Sequence, residues 1–161
     1  AWTESDLLAS LIAEGATFRP EVPFRIGLGE ETVIRGTIDL IVEYLKARKQ
    51  FDKYNGSYQA LKHPTVDILI GLEASRSHVY HAASCIDSGD INEQRIAVRM
   101  AKAVASEGFA FAGDRAIQFH GGFGFTYECD AQLYLRRALW GQHQFGDETH
   151  QRTLLAPLLL S

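Results

Sequence analysis

Histidine and carboxylate side chains gather in one predicted helix, where they could ligate a metal ion. His78 and His81 are three residues apart, and Glu73 and Asp87 lie in the same stretch. Structural zinc sites normally take four such ligands, and no second motif completes this set. We therefore predict no metal site here, and we interpret the two histidines as surface or core-edge residues.

Other signatures of catalytic chemistry are weak in this sequence. It contains no Gly-x-Ser-x-Gly motif, no P-loop and no Cys–His pattern, so hydrolases and nucleoside triphosphatases have no support. Cys85 and Cys129 lie far apart and match no metal or redox spacing. Two reduced thiols are typical of a cytoplasmic protein, which is the location we predict.

The composition excludes further classes. The 161 residues carry a formal net charge of -4, which argues against a nucleic-acid binder with its clustered basic face. No run of about eighteen apolar residues and no basic-then-apolar amino terminus occurs, so neither membrane insertion nor secretion is expected. The chain opens on Ala1 without a methionine, as in a processed chain, a piece of a longer chain, or one with an expression scar.

Apolar residues recur every three to four positions from Glu30 onward, which predicts helices. We expect an all-α fold over residues 29–161, an up-and-down four-helix bundle with an additional C-terminal helix. Residues 1–28 are predicted to form a separate N-terminal helical or irregular segment, since Pro20 and Pro23 interrupt any regular helix there. The predicted helices cover approximately residues 30–49, 64–87, 91–119, 130–139 and 148–159.

Capping and breaking residues predict where these helices begin and end. Pro64 is expected near the first turn of the second helix, where its missing N–H costs little. Asp90 or Asn92 is expected to cap the third helix, and Gly121-Gly122 to end it in left-handed backbone geometry. That third helix is rich in alanine, which permits close helix–helix approach and suits the centre of a bundle.

Two stretches resemble the acyl-CoA dehydrogenase family. Residues 44–63 contain Arg48, a Gln-Phe pair and Tyr-Gln-Ala-Leu-Lys-His, similar to the family's arginine, Gln-Phe-Gly and Phe-Gln-Ala-x-x-His pattern. Residues 117–128 contain Gln-Phe-His-Gly-Gly, similar to its Gln-x-x-Gly-Gly signature. A helix of suitable length separates the two, and the match extends over about residues 29–159. The chain is thus identified as resembling the carboxyl-terminal helical-bundle domain of that family, although Asp52 stands where the family has glycine.

The resemblance implies a flavin cofactor, FAD, held partly by this domain. In the family the domain is one of three in a subunit, and subunits pair so that one bundle reaches its neighbour's flavin. A guanidinium suits the pyrophosphate because it donates two parallel hydrogen bonds, and glycines let backbone approach a ligand. The arginine matches a pyrophosphate contact, and the Gln-x-x-Gly-Gly element matches one that lies against the pyrophosphate and adenosine. The remaining positions match residues near the adenosine. The matching residues are Arg48, Phe51, Gln59, Gln118, Gly121 and Gly122.

Each matching residue also has a structural interpretation. Arg48 could be a solvated cation at a helix end, where the helix dipole favours positive charge. Gly121-Gly122 could be only a helix terminator. The joint occurrence of both motifs, in order and at suitable spacing, favours the cofactor interpretation.

The catalytic base of the family is missing at its usual position. Many members carry a glutamate followed by glycine 27 residues after the motif glutamine, and here Phe145 precedes Gly146. We favour a non-catalytic subunit of a hetero-oligomer, resembling actinobacterial steroid side-chain degraders. Alternatively, Asp147 or Glu148 substitutes, although Asp147 is more simply an N-cap. A base earlier in the chain is the third option, for which the candidates are Glu21, Glu30 and Glu31.

The resemblance therefore implies an acyl-CoA dehydrogenase subunit or fragment, acting in the α,β-dehydrogenation of an acyl-CoA thioester. It implies FAD as cofactor, an acyl-CoA substrate, and homo- or hetero-oligomerisation with subunits of the same family. No catalytic residue is assigned, because Phe145 occupies the usual glutamate position. The alternative is a helical dimerisation module that retains the fold alone.

Overall fold

A computed structural model describes residues 29–86 and 90–160, with side chains from Gly36 onward. The predicted N-terminal segment, residues 1–28, lies outside the described residues, as do the side chains of Glu21, Glu30 and Glu31. None of the helices in the described ranges is both long and apolar enough to cross a membrane.

The described chain is almost entirely helical, which confirms the predicted all-α fold. Four principal helices form the bundle, and a fifth packs against the third at the carboxyl end. The helices are α1 (Gly29–Ala47), α2 (Gln59–Cys85), α3 (Ile91–His120), α4 (Ala131–His143) and α5 (Glu148–Leu160).

Helix α3 is the central element, because it alone among the described helices packs against all the others. Its buried face consists mostly of small residues, with a few larger ones between them. This composition lets neighbouring helices approach closely, as the alanine-rich sequence predicts. The main core cluster spans four helices and comprises Ile41, Leu45, Ile68, Leu72, Phe109, Ala112, Ala116, Ile117, Phe119, Cys129, Ala131 and Ala138.

Glycines set the closest helix contacts of the bundle. A Cβ built on Gly108 of α3 would lie 3.6 Å from the carbonyl oxygen of Gly71 in α2, which is ordinary contact. On the other side of α3, a Cβ on Gly113 would lie only 2.9 Å from the Cα of Leu135 in α4. The α3–α4 approach therefore requires glycine at position 113.

Helix α3 begins where the sequence predicts. The carboxylate of Asp90 accepts hydrogen bonds from the backbone N–H groups of Asn92, at 2.8 Å, and Glu93, at 3.3 Å. These are two of the donors that a helix leaves without an internal partner. Asp90 rather than Asn92 is the N-cap.

The start of α2 differs from the prediction. The helix begins at Gln59, so Pro64 lies in its second turn rather than its first. The first turn forms earlier because the Tyr58 carbonyl accepts from the N–H groups of both Leu61 and Lys62, each at 3.1 Å. Pro64 is tolerated at the cost of one helical hydrogen bond.

A short hairpin between α1 and α2 was not predicted. Strand β1 (Lys49–Gln50) pairs antiparallel with β2 (Lys53–Tyr54), and a single 3-10 turn, Asn55–Ser57, leads to α2. The two turn residues, Phe51 and Asp52, have φ angles of 52° and 60°. Positive φ at both central positions is the geometry of a type I′ hairpin turn, which glycine and asparagine normally occupy.

Candidate functional site

The two predicted motifs meet at one end of the bundle. Tyr44 near the end of α1 packs on His120 at the end of α3, with ring centroids 4.1 Å apart and ring planes 31° from parallel. These residues are 76 positions apart in the sequence. Tyr44 lies one helical turn before Arg48, and His120 directly precedes Gly121, so the contact brings both motifs together.

Arg48 follows the last residue of α1 and is exposed. Its backbone N–H donates to the Tyr44 carbonyl at 2.9 Å, and its carbonyl accepts from the Asn55 N–H at 2.8 Å. The backbone of Arg48 is thus fixed between α1 and the turn before α2. Within the described residues its guanidinium has no ion-pair partner. Arg48 is therefore available to an anionic ligand.

The hairpin presents Phe51 to solvent, with 89% of its surface exposed. The hydroxyl of Tyr58 donates to the Gln50 carbonyl at 2.9 Å, and the Lys49 ammonium lies 4.5 Å from the ring centroid of Tyr54. These contacts hold the hairpin against the start of α2. Gln59, the first residue of α2, is exposed beside it.

The second motif forms a glycine turn at the end of α3. Gly121 has a φ of 61°, and its N–H donates to the carbonyl of Gln118. A Cβ at Gly121 or Gly122 would meet nothing within 4 Å, so the backbone there is open to an approaching ligand. The Gln118 side chain is exposed next to this turn.

His120 is the buried residue beneath the glycine turn, with 4% of its surface exposed. Its Nδ1–H donates to the Ala116 carbonyl at 2.7 Å. Burial lowers the pKa of the imidazole, and the hydrogen bond to Ala116 opposes this only in part. The neutral ring is the favoured form. His120 was not predicted as a site residue, because its importance comes from the contact with Tyr44, which the sequence does not show.

A cavity of about 310 Å³ adjoins this contact, between the end of α1 and residues 120–130. None of the predicted cofactor residues lines it. Its walls include three carboxylates, which would repel a phosphate group. The lining residues are Leu40, Glu43, Tyr44, Ala47, His120, Phe123, Glu128, Cys129 and Asp130.

The loop between α4 and α5 contains Phe145, the position at which the sequence resemblance places a catalytic glutamate. Phe145 is 89% exposed and has a φ of 60°, and Gly146 follows with a φ of 90°. The side chain of Gln151 donates to the Phe145 carbonyl, and Arg99 Nη1 donates to Gln151 Oε1 at 3.1 Å. The backbone of this loop is thus anchored to α3 and α5. The exposed side chain of Phe145 has no atom that could accept a proton.

The neighbouring carboxylates already have structural partners. Asp147 Oδ1 accepts from the N–H of His150 at 2.7 Å, as the predicted N-cap of α5. Glu148 Oε2 accepts from the side-chain amide of Gln142 at 2.8 Å. Across the two described ranges, no group of three or more histidine, cysteine, aspartate or glutamate residues is arranged to hold a metal ion.

Comparison with known proteins identifies relatives of this bundle. The family model described as acyl-CoA dehydrogenase, C-terminal domain, matches residues 24–160. An acyl-CoA dehydrogenase named IpdE2 from Mycolicibacterium smegmatis is 36% identical over 114 residues, covering 71% of this chain and 34% of that protein. The chain therefore spans about a third of that relative.

Solved structures give the same architecture. Butyryl-CoA dehydrogenase from Megasphaera elsdenii superposes with a TM-score of 0.75 at 27% identity, covering 82% of this chain and 34% of that one. The FAD complex of PigA superposes with a TM-score of 0.75 at 26% identity, covering 81% of this chain and 33% of that one. The helical bundle is thus a fold that larger proteins share.

Proposed function

Because this chain belongs to the acyl-CoA dehydrogenase family through its carboxyl-terminal domain, we propose that it is the FAD-contacting bundle of an acyl-CoA dehydrogenase subunit. The whole enzyme would remove two hydrogens from the α and β carbons of an acyl-CoA thioester. The observation that carries the proposal is the Tyr44–His120 contact, which brings Arg48 and Gly121-Gly122 to the same end of the bundle.

The residues at this end suit the pyrophosphate and adenosine of FAD. Arg48 offers a guanidinium free of ion pairs among the described residues, Gln118 an exposed amide, and the glycine turn an open backbone. Guanidinium and amide groups bind phosphate oxygens well, and Phe51 offers an exposed ring for apolar contact. FAD, when bound, would accept the hydride. Gln59, in the same motif as Arg48, would lie near the adenosine.

We propose further that this chain does not supply the catalytic base. A base must accept the α-proton, which requires a carboxylate or a comparable group, and Phe145 has neither. Asp147 and Glu148 already accept hydrogen bonds that stabilise α5. In this proposal the base comes from another chain rather than from Glu21, Glu30 or Glu31, which would make this protein the non-catalytic member of a hetero-oligomer in the cytoplasm.

A helical dimerisation module is the alternative function. It would keep the fold and the subunit interface without contacting flavin. The exposed apolar residues on α2 and α4 favour some form of association under either proposal. Replacement of Arg48 distinguishes the two functions, because only the flavin-contacting bundle needs the positive charge of this residue.

Flavin titration of matched variants tests the proposal. Visible absorbance and flavin fluorescence of the purified protein, with any copurifying subunits, would be measured while FAD is added. Arg48→Ala and Gln118→Ala should each weaken FAD binding roughly 10-fold or more, as expected for the loss of a charge-assisted or amide contact to phosphate. Lys46→Ala, which removes an exposed charge from the preceding turn, should change little.

Addition of an acyl-CoA to the flavin-loaded protein tests the missing base. A flavin band that persists in this protein but bleaches after a base-bearing subunit is added supports a non-catalytic role. Bleaching by the purified chain alone would refute it. Equal flavin affinity in wild type and Arg48→Ala would instead favour the dimerisation module.

A further inference from the structure

The contact between α1 and α3 joins two segments that the proposed function needs at a fixed separation. Arg48 stands four residues beyond Tyr44. Gly121 stands one residue beyond His120. Both segments leave their α-helices at these points: Arg48 leads into β1, and Gly121 begins a short 3-10 helix, Gly121–Phe125, so no α-helix continues through either.

Four interactions hold the Tyr44–His120 pair in place. The two rings stack with centroids 4.1 Å apart, and the Tyr44 hydroxyl donates a long hydrogen bond, 3.5 Å, to the His120 carbonyl. The Nδ1–H of His120 is held by the Ala116 carbonyl. The Phe123 ring follows on the other side, with its centroid 6.4 Å from that of His120. The carbonyl that Tyr44 approaches belongs to the peptide bond leading into Gly121.

The glycine turn also packs closely against the end of α3 at Gly124. A Cβ at Gly124 would lie 2.7 Å from the Ile117 carbonyl and 3.1 Å from the Cβ of His120. The turn therefore folds tightly over the His120 side chain. Displacement of that side chain would move the turn, and α1 contacts this point through Tyr44.

We propose that Tyr44 and His120 are positioning residues, forming a brace that holds Arg48 and Gly121-Gly122 at the separation a dinucleotide pyrophosphate requires. The inference rests on the proposed function for its ligand. Its mechanical part, the coupling of the two segments, stands on the contacts alone. A rigid ring stack suits this role since it fixes distance and angle without a flexible side chain.

Hydrogen exchange on the full chain tests the brace without any cofactor. Tyr44→Leu removes the stacking ring and the hydroxyl, and should speed amide exchange at least 10-fold in two segments, residues 48–57 and 118–126. Tyr44→Phe keeps the ring and should retain most of the protection. Tyr127→Leu, a change of an exposed tyrosine near the glycine turn, is the matched control and should leave both segments unchanged.

Two exchange patterns would overturn the proposal. The first is faster exchange in residues 48–57 alone, because the glycine turn would then be independent of Tyr44. The second is an equal increase throughout α2 and α3, which would assign Tyr44 a general stabilising role.

The binding readout is FAD affinity in the same variants. Tyr44→Leu should weaken FAD binding about 10-fold while Tyr44→Phe largely restores it. Unchanged affinity in Tyr44→Leu, with affinity lost in Arg48→Ala, would overturn the brace and leave the proposed function intact. Coupled exchange without FAD binding by the wild type would refute the proposed function and leave the mechanical brace.

Discussion

At the scale of single residues, His120 shows how burial determines the protonation state of a side chain. It is enclosed by Tyr44, Phe123 and the end of α3, and its one hydrogen bond, to Ala116, is compatible with a neutral imidazole. Desolvation penalises the charged form and lowers its pKa. The hydrogen bond to the Ala116 carbonyl acts in the opposite direction, but desolvation is the larger effect.

Stability should therefore fall as His120 is forced to accept a proton. The unfolded chain protonates this histidine near its ordinary pKa of about 6.5, whereas the folded chain does so only at lower pH. The stabilising contribution is complete above about pH 6.5 and is lost as the pH falls through the lowered folded pKa. Urea unfolding would measure the free energy of unfolding at several pH values between 7.5 and about 5. The dependence of that free energy on pH should be weaker in His120→Gln and unchanged in the exposed control His63→Gln. The same pH dependence in both variants would contradict this assignment.

A second prediction at this scale concerns Asp52. Its φ of 60° is a conformation that disfavours residues with a Cβ, and the related family has glycine there. Asp52→Gly relieves the backbone strain but also raises the entropy of the unfolded chain, which opposes the gain. The net effect should be a rise of about 0.5 kcal/mol in the free energy of unfolding. The control Lys53→Gly, in a strand without positive φ, should lower it. Chemical denaturation with both variants makes the measurement, and a loss of stability in Asp52→Gly would contradict it.

At the scale of elements, the bundle depends on how closely α3 approaches its neighbours. Gly108 and Gly113 lie in the same helix, yet they face different partners. The space beside Gly108 accommodates a methyl group at ordinary contact distance, whereas at Gly113 the backbone of Leu135 occupies it. Backbone atoms cannot turn aside as a side chain can, so the two positions should respond oppositely to the same substitution.

Gly108→Ala and Gly113→Ala form a matched pair for this prediction. Both gain helix propensity worth up to about 1 kcal/mol. Gly108→Ala should be neutral or stabilising. Gly113→Ala should lose about 2 kcal/mol net, because the added methyl forces α3 and α4 apart. Thermal and urea unfolding would compare the two, and equal effects would show that the α3–α4 approach is less restrictive than its distances indicate.

The elements also show where local sequence signals succeed. Asp90 caps α3 as predicted, and Gly121 ends it with the expected positive φ. The hairpin before α2 was missed because Phe51 and Asp52 are not the residues that normally signal such a turn. Helix α2 starts before Pro64, because the Tyr58 carbonyl accepts the first helical hydrogen bonds, and the proline is tolerated in the second turn.

At the scale of the whole molecule, apolar surface remains outside the core. Helix α2 packs against α1 and α3, and it leaves Val66, Leu69, Ile70, Val79 and Tyr80 exposed. Exposed apolar patches of this kind mark surfaces that contact other chains or domains.

The isolated chain should therefore self-associate in a concentration-dependent manner. Light scattering coupled to size-exclusion chromatography would show an average mass that rises with loading concentration. The double variant Leu69→Lys, Ile70→Lys should shift the protein toward monomer, because two charges oppose burial of the α2 surface. Val98→Lys, at an exposed position on α3, is the control. A mass unaffected by the α2 variant would assign association to another surface.

The sequence by itself determined the class of fold, most helix boundaries and the identity of the residues proposed to contact FAD, because these depend on periodicity, capping and short motifs. Only the tertiary structure decided that α3 lies at the centre and that Tyr44 reaches His120. It also showed that Asp52 adopts a positive φ, that the Phe145 loop is anchored through Gln151, and that Gly113 lies against Leu135. The contacts of α3, Tyr44 and Gly113 join residues far apart in the chain, and such contacts leave no local periodicity from which they could be predicted. The turn at Asp52 and the loop at Phe145 are local, but neither carries the residues that normally signal its geometry.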